Sequence, residues 1–205
     1  MTAAKIDAVI FDVGRVLIEW DLRCLLRKLY ADEAQMEWVF ANVVSEEWHF
    51  RHDAGEELDR LVAERKAEFP EHADAVDAYA TRFLETIPGR VAGTPELVER
   101  LSARGVPLFA ITNFAHLFWQ EFRPTEPLFE LFGDIVVSGT EKIAKPDPAI
   151  YRLAENRFGH PGRSMLFVDD NPANVDAARQ LGWQAHRFTD AGGLEAELVR
   201  RGLLD

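Results

Sequence analysis

Cysteine is nearly absent from the chain: Cys24 stands alone among 205 residues, so no disulfide can form within it. That fits a reducing compartment. No apolar run approaches the roughly 18 residues that a membrane-spanning helix needs. The opening Met-Thr-Ala-Ala-Lys-Ile-Asp lacks the apolar segment of a secretory leader, and Asp7 and Asp12 interrupt the first apolar stretch. Basic residues are scarce: Lys and Arg number 23 against 35 Asp and Glu, a net charge of −12, and the longest basic cluster is Arg200-Arg201. The basic stripe expected of a nucleic-acid or anionic-membrane binder is therefore missing. So are a Walker A loop, a Gly-x-Gly-x-x-Gly and a Gly-x-Ser-x-Gly, which removes P-loop, dinucleotide and α/β-hydrolase chemistry. The expectation is a soluble, cytoplasmic protein with neither a nucleic-acid nor a membrane partner.

What is present is an ordinary globular mixture, 47% hydrophobic and 28% charged, long enough for one domain carrying an insertion. Three stretches repeat one order: cap, Pro, helix, Gly, strand. Thr94-Pro95 opens a helix that Gly105 closes before the apolar run 106–111. Asp147-Pro148 and Gly159 frame the next, before 165–168, and Asn171-Pro172 and Gly182 the third, before 183–188. Thr, Asp and Asn suit the N-cap, Pro the first helical position, and Gly the left-handed residue past the end. With Ala8–Phe11 and the weaker 134–137, about five strands result. Short apolar strands alternating with helices predict a doubly wound parallel sheet.

Residues 22–86 differ. They are rich in Ala, Glu, Leu and Arg, contain no convincing strand, and repeat apolar residues at helical spacing, as at Leu58, Leu61 and Val62. The predicted organisation is an α/β core of residues 1–18 and 90–205, with a helical cap of residues 19–89 inserted after the first strand. Its hinges fall near 19–21 and 88–93.

The polar residues that follow the strands are Asp12, then Thr112 and Asn113, then Asp169, Asp170 and Asn171. In a parallel sheet these ends share one edge, where ligands bind at the reversal of strand order. One reading makes them helix caps and loop residues, and for Asn171 before Pro172 that reading is strong. Adjacent carboxylates ending a buried strand repel each other and lose solvation, and a hard cation such as Mg²⁺ removes that penalty.

At this point the residues resemble a family. Phe11-Asp12-Val13-Gly14-Arg15-Val16-Leu17 is similar to the first motif of the haloacid dehalogenase-like superfamily, and Ile111-Thr112-Asn113 to its second. Lys145-Pro146-Asp147-Pro148-Ala149-Ile150-Tyr151 resembles the third motif, and Phe167-Val168-Asp169-Asp170-Asn171-Pro172-Ala173-Asn174 the fourth. All four stand in order, with the helical segment where the family's type 1 cap belongs. The resemblance implies that Asp12 is a nucleophile forming an aspartyl-phosphate, with Lys145 neutralising charge. It implies Mg²⁺ held by Asp12, the Gly14 carbonyl and Asp170, with Asp169 direct or one step removed. Thr112 and the backbone near Asn113 would hold phosphoryl oxygens of a small phosphorylated metabolite.

Gly14 departs from the pattern, because family phosphatases usually carry there an Asp that protonates the leaving group and then activates water. Glu19 and Asp21, near the predicted hinge, are candidate substitutes or simply solvated loop residues. Bacterial sugar-phosphate phosphatases of the glucose-1-phosphatase type resemble this chain at the first and fourth motifs. The leading expectation is therefore a Mg²⁺-dependent phosphatase. The competing ones are a metal-free 2-haloacid dehalogenase, which would not need Asp169 and Asp170 together, and a non-catalytic binding module of the same fold.

Weaker signals take bland readings. His49 and His52 at i, i+3 read as a solvated face, and Trp48 and Phe50 beside Arg51 as cap packing. Arg15 and Arg23 read as surface residues that could hold a second anion. Phe114, Phe118, Trp119 and Phe122 read as the buried side of a helix.

Overall fold

The computed structural model describes residues 5–205; the leader reading of the first four residues lies outside them. Five parallel strands form the central sheet: β1 (Ala8–Phe11), β4 (Leu108–Thr112), β5 (Asp134–Val137), β6 (Met165–Asp169) and β7 (Gln184–Arg187), in the order β5-β4-β1-β6-β7. The short strands β2 (Ile18–Glu19) and β3 (Gly89–Arg90) form a separate antiparallel pair. Around them run α1 (Arg23–Leu26), α2 (Glu33–Asn42), α3 (Glu46–Asp53), α4 (Leu58–Glu68) and α5 (Ala73–Thr81). After β3 follow α6 (Thr94–Ala103), α7 (His116–Phe122), α8 (Ser138–Glu141), α9 (Pro148–Phe158), α10 (Pro172–Gln180) and α11 (Ala191–Arg200).

The sheet is a doubly wound α/β sheet, as its sequence pattern predicts. Alternate residues of β1 point to opposite faces. Val9 and Phe11 pack with Leu97, Val98 and Leu101 of α6 and with Leu194 and Leu198 of α11. Ala8 and Ile10 pack with Ile150, Tyr151 and Ala154 of α9 and with Ala178 of α10. Covered on both faces, β1 and β6 are buried throughout, which is why they read as unbroken apolar runs. Phe11 pairs with Ala110 on one side and Val168 on the other, so β1, β4 and β6 end at one edge. The strand order reverses there.

Two of the three predicted helix starts form as read: Asp147 accepts from the Ala149 N–H at 2.8 Å, and Asn171 from the Ala173 N–H at 2.9 Å. The third is corrected. Gly93, at φ +83°, occupies the N-cap of α6 in the left-handed region that glycine tolerates. Thr94 lies inside the helix with its hydroxyl buried and unpaired among the described residues. The predicted run 183–188 shortens because Trp183 leaves the strand to pack on Tyr151 and Phe167.

Between β2 and β3 the chain is helical with no further strand among the described residues. The buried Met36, Val39, Trp48, Leu61 and Tyr79 of these helices join the same apolar cluster as Val9 and Phe11. The β2–β3 ribbon carries the chain out of the sheet layer and back, beside the edge where β1 and β4 end.

Candidate active site

Asp12 follows β1 directly, and its N–H extends the pairing by donating to the Val168 carbonyl at 2.8 Å. Its Oδ1 accepts from the Val13 N–H at 2.6 Å and meets Lys145 Nζ at 2.8 Å. Neither bond uses Oδ2. Lys145 is 1% exposed, and its ammonium also donates to the Ile111 carbonyl at 2.8 Å and to Asp169 Oδ2 at 2.7 Å. Burial pulls that ammonium down, but Asp12 and Asp169 outweigh it and hold its pKa above the ordinary value.

Asn113 fixes the lysine's backbone: Oδ1 accepts from the Lys145 N–H at 2.8 Å and Nδ2 donates to the Lys145 carbonyl at 2.9 Å. Its side chain is thus committed, and its backbone is what it offers a ligand. Asp169 is fully buried, with Oδ1 accepting from the Asn171 N–H at 2.9 Å and both oxygens from Asn174 Nδ2 at 3.1 Å. Every acceptor direction around Asp169 is therefore occupied, and its principal contact is Lys145. Asp170, by contrast, lines the cavity. The sequence motif contains Asn174 but assigns it no role; the geometry shows it orienting Asp169.

The carboxylates of Asp12, Asp169 and Asp170 lie within 4.8 Å of one another. Burial raises the Asp12 pKa well above the usual carboxyl range; Lys145 pulls it back, and Asp169 and Asp170 push it up again. Burial, then Asp169, raises Asp170 too. Two like charges at about 4 Å repel by about 4 kcal/mol at an effective dielectric of ~20, and one lysine cannot cancel three carboxylates. A divalent cation supported by Asp12 and Asp170 would reverse the sign of that interaction. The Thr112 hydroxyl is buried and, among the described residues, has no hydrogen-bond partner. The residues present fit a metal and an anion together.

Asp12, Asn113, Lys145 and Asp170 border a cavity of about 170 Å³, which Thr112 and the fully buried Asp169 do not line. Asp12, Gly14, Asn113, Lys145 and Asp170 line it from the sheet side, and Trp20, Glu46, His49, Phe50 and Asp53 from the β2–α3 segment. Arg15 also lines it, but it is ion-paired to Glu46 and packed over the Trp20 ring at 4.8 Å. Arg23 points elsewhere, to Glu37 at 2.7 Å. Among the weaker sequence signals, His49 and His52 are corrected: both are 5% exposed, not a solvated face. His49 pairs with Asp53 at i, i+4, a spacing visible in the sequence but hidden behind the more conspicuous His-His pair. Trp48 is core, whereas Phe50 is 41% exposed at the cavity. Phe118, Trp119 and Phe122 are the buried side of α7, as read, whereas Phe114 is buried but precedes the helix.

A family model described as haloacid dehalogenase-like hydrolase matches residues 6–182. The chain belongs to this hydrolase family. Among its relatives, an (S)-2-haloacid dehalogenase of Pseudomonas putida is 33% identical over 92 residues, 45% of this chain and 40% of the relative. The chain thus spans well under two thirds of that dehalogenase. The sesquiterpene phosphatase astK of Aspergillus oryzae is 26% identical over 191 residues, 90% of each chain. A haloacid dehalogenase-like enzyme from Bacteroides thetaiotaomicron, solved as a magnesium complex, superposes with a TM-score of 0.71 at 20% identity, covering 96% of this chain and 100% of that one. At that identity the likeness speaks for the fold.

Proposed function

We propose that this protein hydrolyses a small phosphomonoester, with sugar phosphates the first class to screen, in a Mg²⁺-dependent reaction with Asp12 as nucleophile. The observation that carries the reading is the cluster of three carboxylates, two of them paired to one buried lysine. A 2-haloacid dehalogenase needs an aspartate nucleophile, but nothing in its chemistry calls for Asp170 as a further uncompensated carboxylate. The full-length similarity to a phosphatase and the magnesium complex of a structural neighbour support the same reading.

In this reading Asp12 attacks phosphorus, the phosphorus–oxygen bond to the leaving alcohol breaks, and water later attacks the aspartyl-phosphate to free Asp12 and phosphate. Asp12, the Gly14 carbonyl and Asp170 would hold Mg²⁺, which would supply charge neutralisation for the phosphoryl oxygens. The Thr112 hydroxyl and the backbone at Asn113 take phosphoryl oxygens. Lys145 keeps Asp12 in place and offsets its charge, while Asp169, oriented by Asn174, keeps Lys145 in place. Residues 19–89 act as a cap over residues 1–18 and 90–205, opening at the β2–β3 ribbon and excluding water when closed. We place the reaction in the cytoplasm, on the lone Cys24 and the acidic composition. Among the described residues no helix is long and apolar enough to cross a membrane.

The partial similarity to dehalogenases, together with Gly14, favours the second reading, displacement of halide from a 2-haloacid. One assay separates the two. We expect p-nitrophenol release from p-nitrophenyl phosphate with Mg²⁺, loss of it in EDTA, and loss of it in Asp12→Asn. Halide release from 2-chloropropionate in EDTA, without phosphate release in Mg²⁺, would replace the phosphatase reading with the dehalogenase one.

A further inference from the structure

Gly14 leaves the phosphatase reading without a proton donor for the leaving group. Nothing in the backbone demands glycine there. Its φ is not positive, and a Cβ built on it would have no heavy atom within 4 Å. The position therefore opens onto space. A second cavity, of about 50 Å³, is bordered by Gly14, Trp20, His49, Asp53, Phe83 and Phe114. Two of these residues carry buried polar atoms without a partner among the described residues, Asp53 Oδ1 and Trp20 Nε1.

Asp53 ends α3 and is 6% exposed. Its Oδ2 lies 3.1 Å from His49 Nε2, and His49 Nδ1 lies 2.8 Å from the Tyr79 hydroxyl. Tyr79 is fully buried, and burial, reinforced by Asp53, raises its pKa, so it stays a hydroxyl donor. With Tyr79 donating to Nδ1, a neutral His49 carries its proton on Nε2 and donates to Asp53 Oδ2. Asp53 Oδ1 is then the oxygen left to hold a transferable proton. The His49 ring cannot swing, being stacked on Phe83 at 5.3 Å and packed against Trp20 at 5.0 Å. The Asp53 carbonyl accepts from Ser138 Oγ at 2.5 Å, which ties α3 to the sheet side of the site. Other acids are already engaged or absent: Glu46 is paired to Arg15, and neither Glu19 nor Asp21 lines either cavity.

We propose that Asp53 is the acid–base residue of the reaction, with His49 and Tyr79 as positioning residues. The role that position 14 would serve from the sheet side is thus taken over by the helical segment. The proposal rests on the phosphatase reading. In the first step Asp12 Oδ2 bonds to phosphorus, the phosphorus–oxygen bond to the leaving group breaks, and the proton on Asp53 Oδ1 passes to that oxygen. In the second, Asp53 takes a proton from the water that attacks phosphorus, the Asp12–phosphorus bond breaks, and both carboxyl groups return to their starting state.

The test compares p-nitrophenyl phosphate with phenyl phosphate, two esters of similar shape whose leaving groups differ in their need for a proton. The quantity read is kcat/KM, which covers steps through leaving-group departure. Loss of an acid commonly costs about 10²–10⁴-fold, so Asp53→Asn should lose at least ~30-fold more kcat/KM on phenyl phosphate than on p-nitrophenyl phosphate. Reduced folding lowers both substrates by one factor and leaves the ratio untouched. Equal losses on the two esters would overturn the proposal. Should Asp53→Asn yield no folded protein, His49→Gln carries the same test, with a smaller change expected in the same direction and an unchanged ratio overturning it. If the wild-type protein with Mg²⁺ turns over neither ester, the phosphatase reading falls first and takes this proposal with it.

Discussion

Lys145 joins oxygens from three segments: the Ile111 carbonyl, Asp12 after β1 and Asp169 at the end of β6. It still leaves excess negative charge, and that excess has a pH signature. Asp12 and Asp170 both have pKa values raised above the ordinary 3.8, by burial first. An acid whose pKa rises on folding binds more protons in the folded state, so its stabilising contribution is present at about pH 4 and below and is lost as pH climbs through the raised value. In the metal-free protein these two carboxylates therefore contribute less stability as pH rises out of the acid range. A divalent cation prefers the ionised carboxylates and offsets that loss. Mg²⁺ at about 100 times its dissociation constant adds about 2.7 kcal/mol, or about 5–10 °C in a protein of this length. Thermal unfolding with Mg²⁺ against EDTA should show that shift near pH 8 and almost none near pH 4, and Asp170→Asn should remove it. An equal shift at both pH values would place the ion elsewhere.

At the scale of elements, the turns between helix and strand carry local rules and tight contacts. Gly162, between α9 and β6, lies under Trp183: a Cβ there would stand 2.1 Å from Trp183 Cδ1 and 2.3 Å from Nε1. Trp183 in turn packs edge-on against Tyr151 and Phe167, so it has little room to yield. Gly162→Ala should therefore destabilise the protein by about 1–3 kcal/mol, the usual cost of overpacking, read from the midpoint of urea unfolding. Gly105→Ala makes the comparison, since that position has open space but φ +72°, and its cost is only backbone strain. What was legible at this scale was local. Asp147 and Asn171 cap the helices that begin at the next residue, and the apolar runs at β1 and β6 form strands buried on both faces, while the edge strand β7 is only half-buried. Thr94 is ambiguous in the sequence because Thr-Pro gives the same string whether Thr caps the helix or enters it; in the structure Gly93 takes the cap. The carboxylates after β1 and β6 were legible because parallel topology brings strand ends to one edge. The His49–Asp53–Tyr79 chain was not, since His49 meets Tyr79 across 30 residues through packing that no local pattern encodes.

At the scale of the whole molecule, the site is a joint between the sheet edge and the helical segment, and Ser138 is one of its fastenings. Its hydroxyl donates to the Asp53 carbonyl at 2.5 Å and accepts from the Phe114 N–H at 3.0 Å, and the residue is fully buried. Arg15 makes a second tie, ion-paired to Glu46 of α3, but the two side chains are 42% and 40% exposed. Solvent screens such a pair, so its contribution is small. Ser138→Ala strands one buried donor and one buried acceptor at once, each costing about 1–3 kcal/mol. The two groups belong to different parts of the molecule: Phe114 follows β4, while Asp53 ends α3. The cheapest relief is to let α3 lift so that water reaches both. Amide hydrogen exchange in Ser138→Ala should therefore accelerate by ten-fold or more in α3, a change worth about 1.4 kcal/mol per decade, while β1 and β6 exchange as before. Acceleration spread evenly over α3, β1 and β6 would mean that Ser138 serves only global stability and does not hold the helical segment over the site.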